Sequence, residues 1–493
     1  MPDNVGTEHL KQKTISSLFW KLFEKGGRAV VELAVQIVMA RLLAPQEFGA
    51  LAIMLVLVNL GNVIVRSGFN TALVQAKEVD EASYSTVFWL SFGVSVFLFL
   101  CVFFAAPSVA EFYALPQIVW PFRALGFLLV VTSFNSIQVA IVQRELQLRK
   151  VFNATIVAVF VSGVAGVTSA FAGAGLWALV IQQLLYQLAN CAVLSLQVRW
   201  RPHFVFSIER AKELYGFGWK LLASGILDQG YQSLSDLIIG KQFSASSLGL
   251  VSQGEKYPSA LGSILDGTIQ PVMLSAVARV QDDVAYVKRL VRRALKTSTF
   301  LIVPSMALFA VAAEPVVRLL LGEKWLPSVP FLQMYCFIYA LLPIHSTNLQ
   351  ALNGMGRSDL FLKLELIKKS YGICNILFAA FVLQDVYLMV ATYMATSVVS
   401  TFVNAYPNKK VIGYSYFEQI RDICPAFVLS LVAGAVAYPI AFAGLPDIAI
   451  IALQAVVMIA VYLLLAKLFK VEEFAYLLDT AKVVLAKRNA RAS

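Results

Sequence analysis

The stretch from Thr14 to Leu43, TISSLFWKLFEKGGRAVVELAVQIVMARLL, has the length of a membrane-crossing helix but carries far more charge than such a helix normally holds. At 100° per residue, Ser17, Lys21, Glu24, Lys25, Arg28, Glu32 and Gln36 fall inside one arc of roughly 120°, while Phe19, Val30, Val31, Leu33, Ala34 and Val38 fill the rest. Ionisable groups at membrane depth normally face a bundle interior or a wet cavity, so the pattern predicts a helix lining a central chamber. The same charges could instead pair along the helix, Lys21 with Glu24 and Arg28 with Glu24 or Glu32, and paired charges can still border water.

Composition sets the class around that stretch. With 59% hydrophobic and 14% charged residues and a mean hydropathy of +0.74, the 493-residue chain holds more apolar matter than a soluble core could bury. It reads as an all-α polytopic membrane protein with about fourteen transmembrane helices, counted as apolar runs of roughly 18 residues or more between turn or charge signals. The net charge of +11 is then a topology signal, and a nucleic-acid partner is excluded. The five cysteines lie in apolar stretches without metal or redox spacing, and His9, His203 and His345 lack ligand spacing, so no cofactor and no metal is expected. The N-terminus lacks the unbroken apolar run and cleavage site of a signal peptide.

Placed with a cytoplasmic N-terminus, nearly all Lys and Arg outside the spans fall on the cytoplasmic side. The opposite side keeps only Arg41, Lys241, Arg318 and Lys324. Both termini are therefore expected in the cytoplasm. Val284 to Leu295 and Glu472 to Lys487 have apolar residues at helical spacing with basic flanks and are expected to lie along the membrane surface.

The chain also repeats itself. Trp20-Lys21-Leu22 followed by Phe48-Gly49-Ala50-Leu51 recurs as Trp219-Lys220-Leu221 followed by Leu248-Gly249-Leu250-Val251. Asn135-Ser136-Ile137-Gln138 recurs more weakly as Thr347-Asn348-Leu349-Gln350. A six-span repeat returns to its starting side, so the two six-helix lobes are expected to be related by a pseudo-two-fold axis along the membrane normal. The division is 1–205 for the first lobe, 206–412 for the second, and 413–493 for two extra C-terminal helices and an amphipathic segment. In the seventh span Lys220, Ser224, Asp228, Tyr231, Gln232 and Ser235 share one side, a second polar stripe to match the first. Arg66 and Arg123 are further charges placed deep in spans.

The motif Ala40-Arg41-Leu42-Leu43-Ala44-Pro45-Gln46-Glu47-Phe48-Gly49, preceded by Phe19-Trp20-Lys21, resembles the polysaccharide transporters of the multidrug/oligosaccharidyl-lipid/polysaccharide flippase superfamily, on the branch of the colanic-acid and teichuronic-acid exporters. The resemblance covers essentially the whole chain. It implies movement of an undecaprenyl-pyrophosphate-linked oligosaccharide to the outer leaflet of a bacterial plasma (inner) membrane by a chain working as a monomer, with membrane lipids and polysaccharide polymerase machinery as further candidate partners. No universal catalytic motif comes with that family, so the candidate site rests on physical chemistry. Lys21, Lys25, Arg28, Arg66, Arg123 and Lys220 could neutralise a pyrophosphate. Gln36, Tyr231 and Gln232 could contact sugar hydroxyls and ring faces, and Glu32 and Asp228 could carry a coupling proton or sodium ion. Each of these polar groups could also serve helix packing through an interhelical hydrogen bond.

Two other classes remain in view. An ion-coupled multidrug exporter of the same superfamily should have a chamber rich in carboxylates, whereas the first-lobe stripe is net basic. A membrane glycan polymerase or transferase needs a catalytic loop outside the bilayer, and the longest outward loop, Ala313 to Ser328, offers only Glu314, Arg318, Glu323 and Lys324 as charged groups.

Overall fold

The computed structural model describes residues 31–66, 73 and 79–479; within these, the side chains of 213–217, 220–221, 264–266, 268–269 and 271 are not described. Every regular element among the described residues is helical. Among the described residues, eleven helical stretches are long and apolar enough to cross a membrane. Helix α1 occupies 31–42. It is followed by α2 (Pro45–Arg66), α3 (Glu81–Phe112), α4 (Val119–Arg144), α5 (Leu148–Phe171), α6 (Leu176–Val198) and α7 (Ile208–Gln242). Then come α8 (Ala245–Arg279), α9 (Val284–Val311), α10 (Ala313–Leu320), α11 (Val329–Ala340), α12 (Leu342–Gly354) and α13 (Ser358–Phe378). The series closes with α14 (Val386–Ala405), α15 (Asn408–Val411), α16 (Tyr416–Ala437), α17 (Asp447–Leu468) and α18 at 472–479. Helices α7 and α8 are each 35 residues long, yet they are absent from the eleven apolar stretches because their faces carry too many polar groups.

By compactness the chain forms two units, 1–249 and 250–493. In the first unit, α5 and α6 make a tight hairpin across Gly173 and Gly175, whose φ values of 78° and 53° suit glycine. Gly166 lets α5 approach the Gln182 side chain of α6 closely, in the manner of small-residue packing between membrane helices. An amide pair, Asn135 to Asn190 at 3.1 Å, ties α4 to α6 in a buried setting. The start of α3 is capped by Asp80, whose carboxylate accepts from the Ser83 amide at 2.8 Å; that contact and the Ser83 hydroxyl hold the Asp80 carboxyl below its ordinary range.

In the second unit α9 packs along α16, and α16 along α17. Helix α16 opens on a capping box, Ser415 with Glu418. A fully buried amide knot joins three elements. Asn348 of α12 donates to Gln419 of α16 at 2.7 Å and accepts from its amide at 2.9 Å, while Asn408 of α15 donates to the same Asn348 side chain at 2.6 Å. Asn348 and Gln419 satisfy each other's amides in a setting where an unpaired one would cost about 1–3 kcal/mol, while Asn408 Oδ1 is left without a hydrogen-bond partner among the described residues.

Two sequence expectations change here. The segment 284–295, expected as a separate surface helix, is the first part of the continuous α9, because nothing between Arg293 and Thr297 breaks helical geometry. The expected loop 313–328 contains α10 and a 3-10 turn, Glu323–Ser328, with Trp325 fully buried. Helices α11 and α12 meet at Leu341, where Pro343 opens α12, within one apolar stretch, Glu323–Gly354, long enough to cross a membrane. Of the expected surface segment 472–487, residues 472–479 are helical and the remainder lies outside the described residues.

Candidate functional site

The site is built in the first unit, where α2 and α7 run beside one another and α1 packs on α5. Helix α2 starts cleanly because Pro45 occupies its first turn and the Glu47 carboxylate accepts the Ala44 amide at 2.7 Å. Helix α7 lies antiparallel to α2, since Gly240 faces Ile53 and Gly225 faces Val63. That register brings the Asn59 and Asn62 end of α2 to the level of Asp228 and Tyr231 on α7. The far end of α7 is fastened to α3 by Lys241, which donates to the Phe112 carbonyl and stands 4.2 Å from the Phe112 ring centre.

Two glycines set the closest approach. A Cβ built on Gly49 would lie 1.6 Å from the Ala245 carbonyl oxygen, and one on Gly249 would lie 2.0 Å from the Pro45 carbonyl oxygen. The start of α2 therefore touches the start of α8 backbone to backbone, in a reciprocal arrangement. Helix α8 is itself capped by Ser244, whose hydroxyl accepts the Ser247 amide at 3.0 Å.

The proposed site residues distribute as follows. Lys21, Lys25 and Arg28 lie outside the described residues, and Lys220 lies on α7 with its side chain outside them. Glu32 and Gln36 are half-buried on α1, whose Met39 is fully buried and whose Val35 packs against Gly163 of α5. Asp228 and Tyr231 are half-buried on α7 and engaged by neighbours, and Gln232 is exposed. Arg66, expected deep in a span, is exposed at the last residue of α2.

Arg123 is placed differently from the expectation. It sits in the second turn of α4, where its Nε donates to the Phe103 carbonyl at 3.0 Å and its guanidinium stands 4.3 Å from the Phe103 ring centre and 4.8 Å from that of Trp120. An aromatic clamp with a backbone acceptor fastens α3 to α4 and leaves this guanidinium spent on packing.

Two polar residues beside Arg66, Asn59 and Asn62, were not among the expected site residues. Asn59, Asn62 and Arg66 share one face of α2 at helical spacing, and Asn62 Oδ1, like Gln36 Oε1, is buried without a hydrogen-bond partner among the described residues. A buried acceptor left open is costly and marks a place where water or a polar ligand fits. The signal was present as two asparagines in an apolar run. In the second unit, Glu255 of α8 accepts from the Tyr339 hydroxyl at 3.1 Å, and Glu365 pairs with Lys368 at 2.5 Å. Lys368, which could have reached for the membrane edge, is held by that pair. His345 is hydrogen-bonded by Asn404 at 3.0 Å on Nδ1, with Ser397 at 3.4 Å from Nε2.

A family model described as "Polysaccharide biosynthesis protein" matches residues 38–330. The chain belongs to this polysaccharide biosynthesis protein family. Within and beyond it, the chain is similar to the lipopolysaccharide biosynthesis protein WzxC of Escherichia coli K12, 24% identical over 436 residues, 87% of this chain and 88% of that one. It is similar also to the succinoglycan biosynthesis transport protein ExoT of Rhizobium meliloti, 23% identical over 352 residues, 71% of each. In fold this family member resembles the lipid II flippase MurJ in an inward closed conformation, with a TM-score of 0.73 at 12% identity, covering 92% of this chain and 98% of MurJ.

Proposed function

We propose that this family member is a flippase that carries an undecaprenyl-pyrophosphate-linked oligosaccharide from the cytoplasmic to the outer leaflet of a bacterial plasma membrane. The observation that carries the reading is the breadth of the match to WzxC, which leaves little of either chain unpaired and so concerns a whole transporter rather than a shared module.

The chemistry suits the cargo. A lipid-linked glycan brings a negative pyrophosphate, a polar sugar too large for bare bilayer and a tail that can remain in lipid. Arg66 at the end of α2, with Lys21, Lys25, Arg28 and Lys220, would meet the pyrophosphate. Gln36, Asn62, Tyr231 and Gln232 would meet sugar hydroxyls, the open acceptors of Gln36 and Asn62 taking donors from them. Movement by alternating access would require the glycine contact between α2 and α8 to open and close. Glu32 and Asp228 would carry the coupling proton or sodium ion. Both termini would lie in the cytoplasm, and the chain would act as a monomer beside the polymerase that uses its product.

The test is a strain lacking the gene. It should lose surface polysaccharide and accumulate the lipid-linked intermediate, with both restored by the wild-type chain and neither by Arg66→Ala. Glu32→Gln and Asp228→Asn should restore export that no longer responds to collapse of the ion gradient. Normal glycan together with new sensitivity to cationic drugs would replace this reading with that of a drug exporter.

A further inference from the structure

A cavity of about 740 Å³ opens at the basic end of the second unit, between the first turns of α16, the end of α17 and Lys296 of α9. Its wall is largely apolar, with Ile420, Pro425, Val428 and Leu429 along α16 and Val471 beyond α17. Two large aromatic side chains flank it, Phe417 at 82% exposure and Phe469 at 68%. So open an apolar wall on a membrane protein is a surface for hydrocarbon.

The charges that line the cavity balance, Lys296, Arg421 and Lys470 against Asp422, Glu472 and Glu473, and Arg292 with the adjoining Arg289 and Arg293 makes the surroundings net positive. Asp422 is taken by Arg292 in a two-point contact of 2.6 and 2.7 Å and by the Tyr414 hydroxyl at 2.7 Å. Glu472 and Glu473 are both taken by Lys296, at 2.7 Å each. One cation, Lys296, thus serves two carboxylates, so that with Arg292 the cavity carries a net charge of +1, and Arg421 and Lys470 are the cations without an ion-pair partner among the described residues. Arg421 stands five residues into α16, roughly 7.5 Å along the helix, and Lys470 stands two residues beyond α17, so both sit near the ends of their spans. An adjoining cavity of about 280 Å³ shares Lys296, Glu472 and Glu473 and adds Arg289 and Arg293, the latter stacked 3.5 Å from the Tyr476 ring centre.

We propose that this cavity binds an anionic phospholipid, its phosphate between Arg421 and Lys470 and one acyl chain along the α16 wall. Surplus positive charge at a span end is the requirement for an anionic head group, and the apolar wall behind it distinguishes a lipid from a soluble anion. The bound lipid would bridge α16 to the segment after α17. This site stands independently of whether the chain moves a glycan.

Native mass spectrometry of the full-length protein in detergent, titrated with phosphatidylglycerol, phosphatidylcholine or inorganic phosphate, tests it. Wild-type protein should retain phosphatidylglycerol in preference to phosphatidylcholine, and inorganic phosphate should not displace it. The double substitution Arg421→Ala with Lys470→Ala should weaken phosphatidylglycerol binding about tenfold. Lys409→Ala with Lys410→Ala, two exposed cations on α15 outside the cavity, should not change it. Because Arg421 and Lys470 are exposed, the double variant should melt as wild type does without lipid; the swap Arg421→Lys with Lys470→Arg keeps the charge and should keep binding. Undiminished binding in the alanine variant, equal loss in the α15 pair, loss in the charge-preserving swap, no preference over phosphatidylcholine, or displacement by inorganic phosphate would each overturn the proposal.

Discussion

The start of α2 reads Pro45 to Gly49 and the start of α8 reads Ala245 to Gly249, two copies of one motif about 200 residues apart. Each copy presses its glycine on the first carbonyl of the other, Gly49 on Ala245 and Gly249 on Pro45. Beyond that crossing the helices part ways. Past its first turn α2 is apolar except for Asn59, Asn62 and Arg66, while α8 carries Gln253, Glu255, Lys256 and Tyr257 in succession. The repeated motif supplies the backbone contact that needs two glycines, while the chemistry of the two helix bodies differs. A symmetric contact with unlike flanks allows one structural joint to serve two different polar surfaces.

The sharpest way to break this comparison is to add a side chain at the joint. Gly49→Val or Gly249→Val cannot be accommodated without moving backbone, since the added Cβ would fall within 2.0 Å of a carbonyl oxygen. Each should reduce export at least about tenfold, equivalent to about 1.4 kcal/mol, and the two effects should be similar. Gly93→Val on α3, where a Cβ meets nothing within 4 Å, should export normally. Unequal effects of the two joint glycines, read as surface polysaccharide per folded protein, would show that the contact is not used reciprocally.

A smaller difference separates the buried amides of the two units. Asn348→Leu removes the partner of Gln419 on both amide atoms and one contact of Asn408, and should lower stability in detergent by about 3 kcal/mol. Asn135→Leu breaks only the contact with Asn190 and should cost about 1 kcal/mol. Denaturation midpoints of the two variants check the ranking, and equal midpoints would mean that the knot acts as no more than a pair.

The helical membrane fold was legible in the sequence because burial in lipid requires long apolar runs, and those runs survive without knowledge of neighbours. The repeated Trp-Lys-Leu and Phe-Gly or Leu-Gly pairs were visible in the sequence too. That the two glycines touch was not, because a repeat records common descent and not proximity. The clamp on Arg123 was not legible, because it comes from Phe103 on another helix and Trp120 one turn earlier. The amide knot escaped for the same reason, since Asn348, Asn408 and Gln419 are scattered along the chain. Continuity of α9 was missed because amphipathic and apolar segments were read as separate elements when one helix can pass from surface to membrane.

The most direct test of the account is transport by the purified protein. Vesicles containing it, and loaded on one leaflet with an undecaprenyl-pyrophosphate-linked oligosaccharide, would be probed with a membrane-impermeant enzyme that cleaves the glycan only on the other leaflet. The account predicts cleavage that depends on the wild-type chain and is lost with Gly49→Val. Cleavage at the same rate in protein-free vesicles, or none with folded wild-type protein under either a proton or a sodium gradient, would contradict it.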